Sequence, residues 1–212
     1  MSKLRAVVVS ADMVTPYGKG VNACWDNLLS GKTAISRLNR FNTKAFQSDY
    51  AATIDSLEYH LVESSLRQGD SLVMQMLKPL FDKASVSIPE DAKLILATTK
   101  GEIDLLEKNI LDKTSDTRDC DLICLLKKTA ALAGVKDAGI VVSAACASSS
   151  AAVARAAAMI RSRRGDCVLV VACDSVTEFV FSGFSSLMAL DKFFARPFDR
   201  NRKGLSLGEA AA

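Results

Sequence analysis

The sequence predicts an α/β fold in which helices cover a mostly parallel, mixed sheet. Short apolar runs rich in β-branched residues alternate along the chain with longer stretches of helical period, and this order of elements is typical of parallel sheets. The chain has 212 residues, of which 49% are hydrophobic and 24% are charged. This length and composition suffice for one well-buried domain, and no repeat or low-complexity linker divides it.

Each element follows from its local pattern. Four apolar runs are predicted to be strands buried on both faces, because their apolar residues are continuous rather than alternating. Five stretches of helical period lie between them, and Pro79 is expected to bend or end its helix. The segment 36–60 is expected to be mostly irregular. The predicted strands are 5–11, 93–99, 139–144 and 167–174, and the predicted helices are 20–31, 70–84, 101–111, 119–134 and 148–165.

Charge and hydropathy exclude several classes of protein. The net charge is only +3, from 27 basic and 24 acidic residues that are interleaved along the chain, so a nucleic-acid partner is not expected. No apolar run reaches the ~18–20 residues of a membrane span, and the first apolar run is too short for a signal peptide. We therefore expect a cytoplasmic protein without a membrane anchor.

The six cysteines are expected to be reduced and not to bind a metal. They have no CxxC spacing, and the single histidine, His60, is remote in sequence from all of them. A structural zinc site is therefore not predicted. Cys167 and Cys173 share the parity of one predicted strand, so we expect both to be buried in the sheet.

Cys146 is the candidate nucleophile. It lies where a predicted strand gives way to the helix-forming run "ASSSAAVARAAAMI", and ligand sites of open α/β sheets lie at such strand ends. The positive end of a helix dipole favours a thiolate, and the backbone amide of Cys146 could donate to a developing oxyanion. The alternative is that Cys146 is a small buried hydrophobic residue.

Three segments resemble the β-ketoacyl-[acyl-carrier-protein] synthases, a family with a thiolase-like fold. "VVVSADMVTPYGKGVNACWDNLLSGKTAI" is similar to the opening of that family, and "SAACASSSAA" is similar to its active-site cysteine segment. "ARPFDRNRKGLSLGEAAA" resembles its Pro-x-Asp and Gly-Glu segment. The three motifs follow the order of the family, and the resemblance covers essentially the whole chain, which implies an N-terminal β-ketoacyl synthase domain over residues 1–212.

The resemblance implies a decarboxylative Claisen condensation. Cys146 would take an acyl group from an acyl carrier protein, and the carbanion from a malonyl thioester would attack it. Ala145 matches a position that helps shape the acyl pocket, and Phe181 and Phe184 would lie near the acyl channel, although ordinary core packing also explains these phenylalanines. The resemblance also implies that Asp199 and Arg202 organise the surroundings of the site and that no cofactor is needed.

Family members are about twice as long and take their catalytic histidines from a second half that this chain lacks. The resemblance therefore implies that the chain alone is inactive, and that its partners include the missing C-terminal half and a second copy in a homodimer. Two alternatives remain open. One is a non-catalytic or partner-dependent thiolase-fold subunit, and the other is a related thiolase-like acyltransferase.

Overall fold

A computed structural model describes residues 5–59, 70–82, 86–111 and 120–212. Among the helices in these ranges, none combines the length and the apolar character that a bilayer span needs. The strands are β1 (Val14–Thr15), β2 (Gly18–Lys19), β3 (Ser36–Arg37), β4 (Tyr50–Ala52), β5 (Lys93–Ala97), β6 (Ile140–Val142), β7 (Val168–Asp174), β8 (Leu207–Gly208) and β9 (Ala210–Ala211). The helices are α1 (Val21–Leu29), α2 (Leu72–Asp82), α3 (Ile103–Leu111), α4 (Leu122–Ala133), α5 (Ser148–Arg161) and α6 (Glu178–Ser186).

A mixed sheet with the strand order β2-β1-β9-β7-β5-β6 forms the centre of the molecule. Strand β5, next to the last strand β6 in this order, runs parallel to both β6 and β7, whereas β9 runs antiparallel to β7 and to β1. The connections between the parallel strands contain helices, as parallel pairing requires. The predicted α/β class with a mostly parallel, mixed sheet is confirmed.

The two faces of the sheet carry different helices. Leu94 and Leu96 of β5 pack into one cluster with residues of α2 and α4. Ile95, which points to the opposite face, packs with Ala152 and Ala156 of α5. These β5 side chains are at most 1% exposed, as expected for a strand that is apolar at every position.

The predicted first strand is wrong. The backbone of residues 5–13 forms no strand, and Val7, Val8 and Val9 are 72–80% exposed. A strand needs a neighbour to hydrogen-bond with, and the pairing of β1 with β9 extends only to the pair Val14 and Ala211. The apolar run therefore has a strand's composition without a partner strand in the part of the chain that the structure describes.

The side of β7 that faces β9, which we call its outer edge, is also only partly paired. Ala172 exchanges two backbone hydrogen bonds of 2.8 Å with Ala212 on this edge. The backbone N–H and C=O groups of successive strand residues point to alternate sides, so those of Val170 and Val168 point to the same side as those of Ala172. Among the described residues, no strand lies beside β7 at these two positions.

The segment expected to be irregular contains two short strands. β3 pairs with β4, and β4 pairs with β8, so that a second, three-stranded sheet joins residues 36–52 to the end of the chain. The sequence does not predict the helix α6, because its residues are mainly Phe and Ser and lack a clear helical period. Pro79 lies inside α2, so the expectation that it ends the helix is wrong, whereas a bend at Pro79 stays a prediction.

Candidate functional site

The site lies where three parallel strands end on the same edge of the sheet. The chain leaves β5, β6 and β7 at this edge through the segments 98–101, 143–147 and 175–177. Carboxyl ends of parallel strands are the positions where α/β sheets place their ligands. Cys146 belongs to the segment after β6, so the structure places the candidate nucleophile at this edge.

Cys146 sits on a tight turn of residues 144–148, which we call the Cys146 turn. Two overlapping backbone hydrogen bonds of 3.1 Å form it, from Ala147 N–H to the Ala144 carbonyl and from Ser148 N–H to the Ala145 carbonyl. Ala145 adopts a φ of 48°, in the left-handed region that non-glycine residues rarely visit. The strained turn brings the thiol to the surface immediately before α5.

The side chain of Ser148 closes the Cys146 turn. Its hydroxyl accepts a hydrogen bond from the Ala144 N–H at 2.8 Å and donates one to the Ala145 carbonyl at 2.7 Å. Ser148 is only 4% exposed. The sequence predicts this serine only as part of the first turn of a helix, because the turn that it bonds is not visible in the order of residues.

The cysteines differ in exposure. Cys146 and Cys167 are exposed, whereas Cys173 is buried and burial raises the pKa of its thiol far above the ordinary range. The expectation that Cys167 is buried in the sheet is wrong, because β7 begins one residue later, at Val168. None of the six cysteines forms a disulfide, and in the described ranges no group of three or more His, Cys, Asp or Glu side chains could hold a metal ion.

Asp174 at the end of β7 organises the segment after β5. Its carboxylate accepts hydrogen bonds from the hydroxyls of Thr98 and Thr99 at 3.0 and 2.7 Å. It also accepts from the backbone N–H of Thr99 at 2.9 Å, and Thr98 N–H in turn donates to the Val142 carbonyl of β6 at 3.3 Å. The three strand ends are thereby linked by hydrogen bonds.

Two carboxylates at the start of α3 are buried beside this segment. Glu102 is 1% exposed and accepts hydrogen bonds from Ser71 Oγ at 2.7 Å and from Lys128 Nζ at 2.8 Å. Asp104 in the first turn of α3 accepts a hydrogen bond from the Leu72 N–H at 2.8 Å and thereby links the start of α2 to the start of α3. Burial is the main reason that the pKa of Asp104 rises to about 6.

The two phenylalanines predicted to line the acyl channel lie in a hydrophobic cluster. Phe181 is fully buried, and its ring centroid lies 5.6 Å from those of Phe41 and Phe46. Phe184 is half-buried against the same cluster. Their contacts are those of a small core between α6 and the segment 36–52, and their role toward an acyl chain stays a prediction.

Asp199 and Arg202 lie together on a surface loop. The guanidinium Nη1 of Arg202 donates to the backbone carbonyl of Asp199 at 3.1 Å, and Asp199 Oδ1 accepts from the Asn201 N–H at 2.5 Å. The loop closes tightly at Gly204, where a Cβ would lie 2.4 Å from the backbone nitrogen of Asp191. The two residues shape their own loop, and their influence on the site stays a prediction.

The sequence does not predict the buried ion pair between Arg40 and Glu209. The carboxylate of Glu209 receives Nη1 and Nη2 of Arg40 at 2.6 and 2.7 Å, and both side chains are almost completely buried. Glu209 also accepts the backbone N–H groups of Ile54 and Val176. The Gly-Glu motif was noticed, but its partner is 169 residues away along the chain. The single histidine, His60, lies outside the described residues.

Comparison with known proteins identifies the relationships of the chain. Residues 4–78 and 128–212 match the family described as beta-ketoacyl synthase, N-terminal domain. The chain is 24% identical to a 3-oxoacyl-[acyl-carrier-protein] synthase 2 of Coxiella burnetii (strain RSA 493 / Nine Mile phase I), over 100% of this chain and 57% of that protein. It is 26% identical to the tetracenomycin polyketide synthase ketoacyl synthase alpha subunit of Streptomyces glaucescens, over 98% of this chain and 56% of that protein.

Solved structures show the same fold. The ishigamide ketosynthase/chain length factor superposes with a TM-score of 0.80 at 21% identity, over 99% of this chain and 58% of the other. A ketosynthase in complex with its chain length factor from Xenorhabdus doucetiae superposes with a TM-score of 0.62 at 20% identity, over 98% of this chain and 56% of the other. The chain thus spans somewhat more than half the length of these relatives. The chain belongs to the β-ketoacyl synthase family, and its residues correspond to the N-terminal domain of that family.

Proposed function

We propose that Cys146 is the acyl-accepting nucleophile of a 3-oxoacyl-[acyl-carrier-protein] synthase. The observation that carries the proposal is the exposed thiol on a strained turn, at the start of a 14-residue helix and at the edge where three parallel strands end. Helix N-termini favour the thiolate, which is the nucleophilic form of cysteine. The helix N-terminus and the family's active-site motif point to the same residue.

The reaction has two covalent steps. The Cys146 thiolate attacks the carbonyl of an acyl thioester on an acyl carrier protein, and the carrier leaves as a thiolate while an acyl-cysteine forms. A malonyl thioester then loses carbon dioxide, and its carbanion attacks the acyl-cysteine carbonyl. The new carbon–carbon bond forms as the Cys146 thiolate is released. In both steps the Cys146 amide N–H donates to the oxyanion.

Other residues have supporting roles in this proposal. The small side chain of Ala145 leaves space for the acyl carbonyl beside the thiol. Phe181 and Phe184 contribute apolar surface toward the acyl chain from α6, and Asp199 and Arg202 hold the shape of the loop that follows. No metal or organic cofactor takes part, because thiolate chemistry and a decarboxylating substrate supply the driving force.

The groups that assist decarboxylation lie, in this proposal, on a second half or on a partner chain. Residues 1–212 by themselves then form an acyl-cysteine slowly at best and do not complete the condensation. β6 is the edge strand beside α5, and Ile140 on it is 36% exposed, so we infer that two copies pair through this edge as a homodimer. Sedimentation of the chain as a monomer would contradict this pairing.

A partner-dependent subunit is the second candidate function. Large apolar side chains are exposed around the loop after α6, where Leu187, Met188 and Phe198 are 76%, 71% and 100% exposed. Surfaces of this kind are typical of protein interfaces. Condensation activity that returns only when a second, histidine-bearing polypeptide is added would favour this function over the self-sufficient synthase.

Intact-mass measurement after incubation with an acyl-carrier thioester tests the nucleophile. We expect one acyl adduct on the wild-type chain and none on the Cys146→Ala variant. Cys167 is the internal control, because it is equally free and exposed but lies at the opposite end of β7. Adducts on Cys167 and Cys146 in equal amounts would show that exposure alone governs the labelling and would contradict the proposal.

A further inference from the structure

We propose that Ser148 is a positioning residue that holds the Cys146 turn in its reactive shape. The inference rests on the proposed role of Cys146 as the nucleophile. The Ser148 hydroxyl hydrogen-bonds two successive backbone residues on the N-terminal side of Cys146, through the Ala144 N–H at 2.8 Å and the Ala145 carbonyl at 2.7 Å. Cys146 lies between these bonds and the helix.

Ser148 performs this role instead of capping its own helix. The residue at the N-cap position of α5 is Ala147, and no side chain caps the helix there. A serine at a helix start usually accepts a hydrogen bond from an N–H further along the helix. Here the hydroxyl points backward into the turn and is 4% exposed, whereas the next two residues, Ser149 and Ser150, are exposed.

The hydrogen bonds of Ser148 oppose the relaxation of a strained residue. Ala145 has a φ of 48°, a conformation that persists only where the surroundings fix it. Both carbonyls that flank this φ accept hydrogen bonds. The Ala144 carbonyl accepts from the Ala147 N–H at 3.1 Å, and the Ala145 carbonyl accepts from the Ser148 hydroxyl as well as from the Ser148 N–H at 3.1 Å. Without the hydroxyl, the turn loses two of its four hydrogen bonds, and the backbone that carries the thiol before α5 is held less firmly.

The rate of thiol alkylation tests this role without requiring condensation activity. Purified chain is treated with iodoacetamide, and adducts at Cys146 and Cys167 are quantified by peptide mass spectrometry. We expect Ser148→Ala to slow the labelling of Cys146 about tenfold at neutral pH. The rate at Cys167 is expected to be unchanged.

Three further variants make the comparison specific. Ser148→Thr keeps a hydroxyl and is expected to label Cys146 nearly as fast as the wild type. Ser148→Val has nearly the same shape as the threonine variant but lacks the hydroxyl, and it is expected to label Cys146 slowly. Ser149→Ala removes an exposed neighbouring hydroxyl and is expected to behave as the wild type. Labelling of the buried Cys173 would reveal that Ser148→Ala does not fold. In that case the comparison of the threonine and valine variants tests the role of the hydroxyl.

The outcomes separate the two proposals. Wild-type Cys146 that is alkylated no faster than Cys167 overturns the proposed nucleophile. A fast wild-type Cys146 whose alkylation rate is the same in Ser148→Ala overturns the role of Ser148 and leaves the nucleophile intact. Equal rates in the threonine and valine variants overturn it as well, because the hydroxyl is then irrelevant.

Discussion

Replacing Glu209 by glutamine is expected to destabilise the protein by about 3–5 kcal/mol, the cost of removing one partner of a buried ion pair. The side chain of Glu209 is fully buried and that of Arg40 is 7% exposed. Four donors converge on the carboxylate, namely two Arg40 nitrogens at 2.6 and 2.7 Å and the N–H groups of Ile54 and Val176 at 2.7 and 3.0 Å. An amide offers one acceptor oxygen, turns an NH₂ group toward these donors and leaves the guanidinium charge buried without a counter-charge.

Urea denaturation followed by far-UV circular dichroism measures this loss. The control is Asp49→Asn. Asp49 pairs with Arg37, which lies three residues before Arg40 in the chain and has a side chain that is 73% exposed, so we expect an unchanged midpoint. The double variant Arg40→Met with Glu209→Leu is expected to recover part of the loss, since no buried charge remains. A Glu209→Gln variant as stable as the Asp49→Asn control would refute this reasoning.

Three other predictions concern the same fold. Burial raises the pKa of Asp104 from 3.8 to about 6, so the folded state binds the proton more tightly and the contribution of this group to stability falls as the pH rises through that range. Between pH 4 and pH 7, the free energy of unfolding of Asp104→Asn, measured by urea denaturation, is therefore expected to rise relative to that of the wild type by up to about 3 kcal/mol. Hydrogen exchange is expected to be faster at the amides of Val168 and Val170 than at the amide of Val171. The first two face the outer edge of β7, where no described strand lies beside them, whereas the amide of Val171 faces β5. Gly139→Ala is expected to lower the thermal midpoint markedly, because a Cβ would lie 2.2 Å from the Leu94 carbonyl oxygen at a φ of +80°.

Each of these has a contradicting result. A constant stability difference between wild type and Asp104→Asn across the pH range would show that the carboxyl titrates normally. Equal exchange rates along β7 would mean that its outer edge is covered. A Gly139→Ala variant with the wild-type midpoint would mean that the start of β6 can shift away from Leu94.

The fold class and most of the helices were predictable because they depend on local pattern. The continuous apolar run of β5 predicts a strand that is buried on both faces, and the structure confirms it. The apolar run of residues 5–11 has the same composition but forms no strand. The difference lies in the neighbours, since β5 has a strand on each side and residues 5–11 have none in the described part of the chain.

Within the candidate site, the sequence singled out Cys146 but not the groups that shape its surroundings. Small residues around a cysteine at a strand end are visible in the sequence, and so is the family motif. Ser148 was visible only as a helix-forming position, because its role depends on the direction of its hydroxyl. Asp174 and its hydrogen bonds to Thr98 and Thr99 join strands that are more than 70 residues apart, and residue order does not reveal such contacts.

The sequence alone determined the alternation of strands and helices, the position of Cys146 at a strand-to-helix junction and the family resemblance. These properties follow from short-range periodicity and from local motifs, which the order of residues records directly. Only the tertiary structure decided which apolar runs find a partner strand, and that Glu209 meets Arg40. Hydrogen-bond pairing and charge burial depend on which distant segments become neighbours, and that is fixed when the whole core packs together.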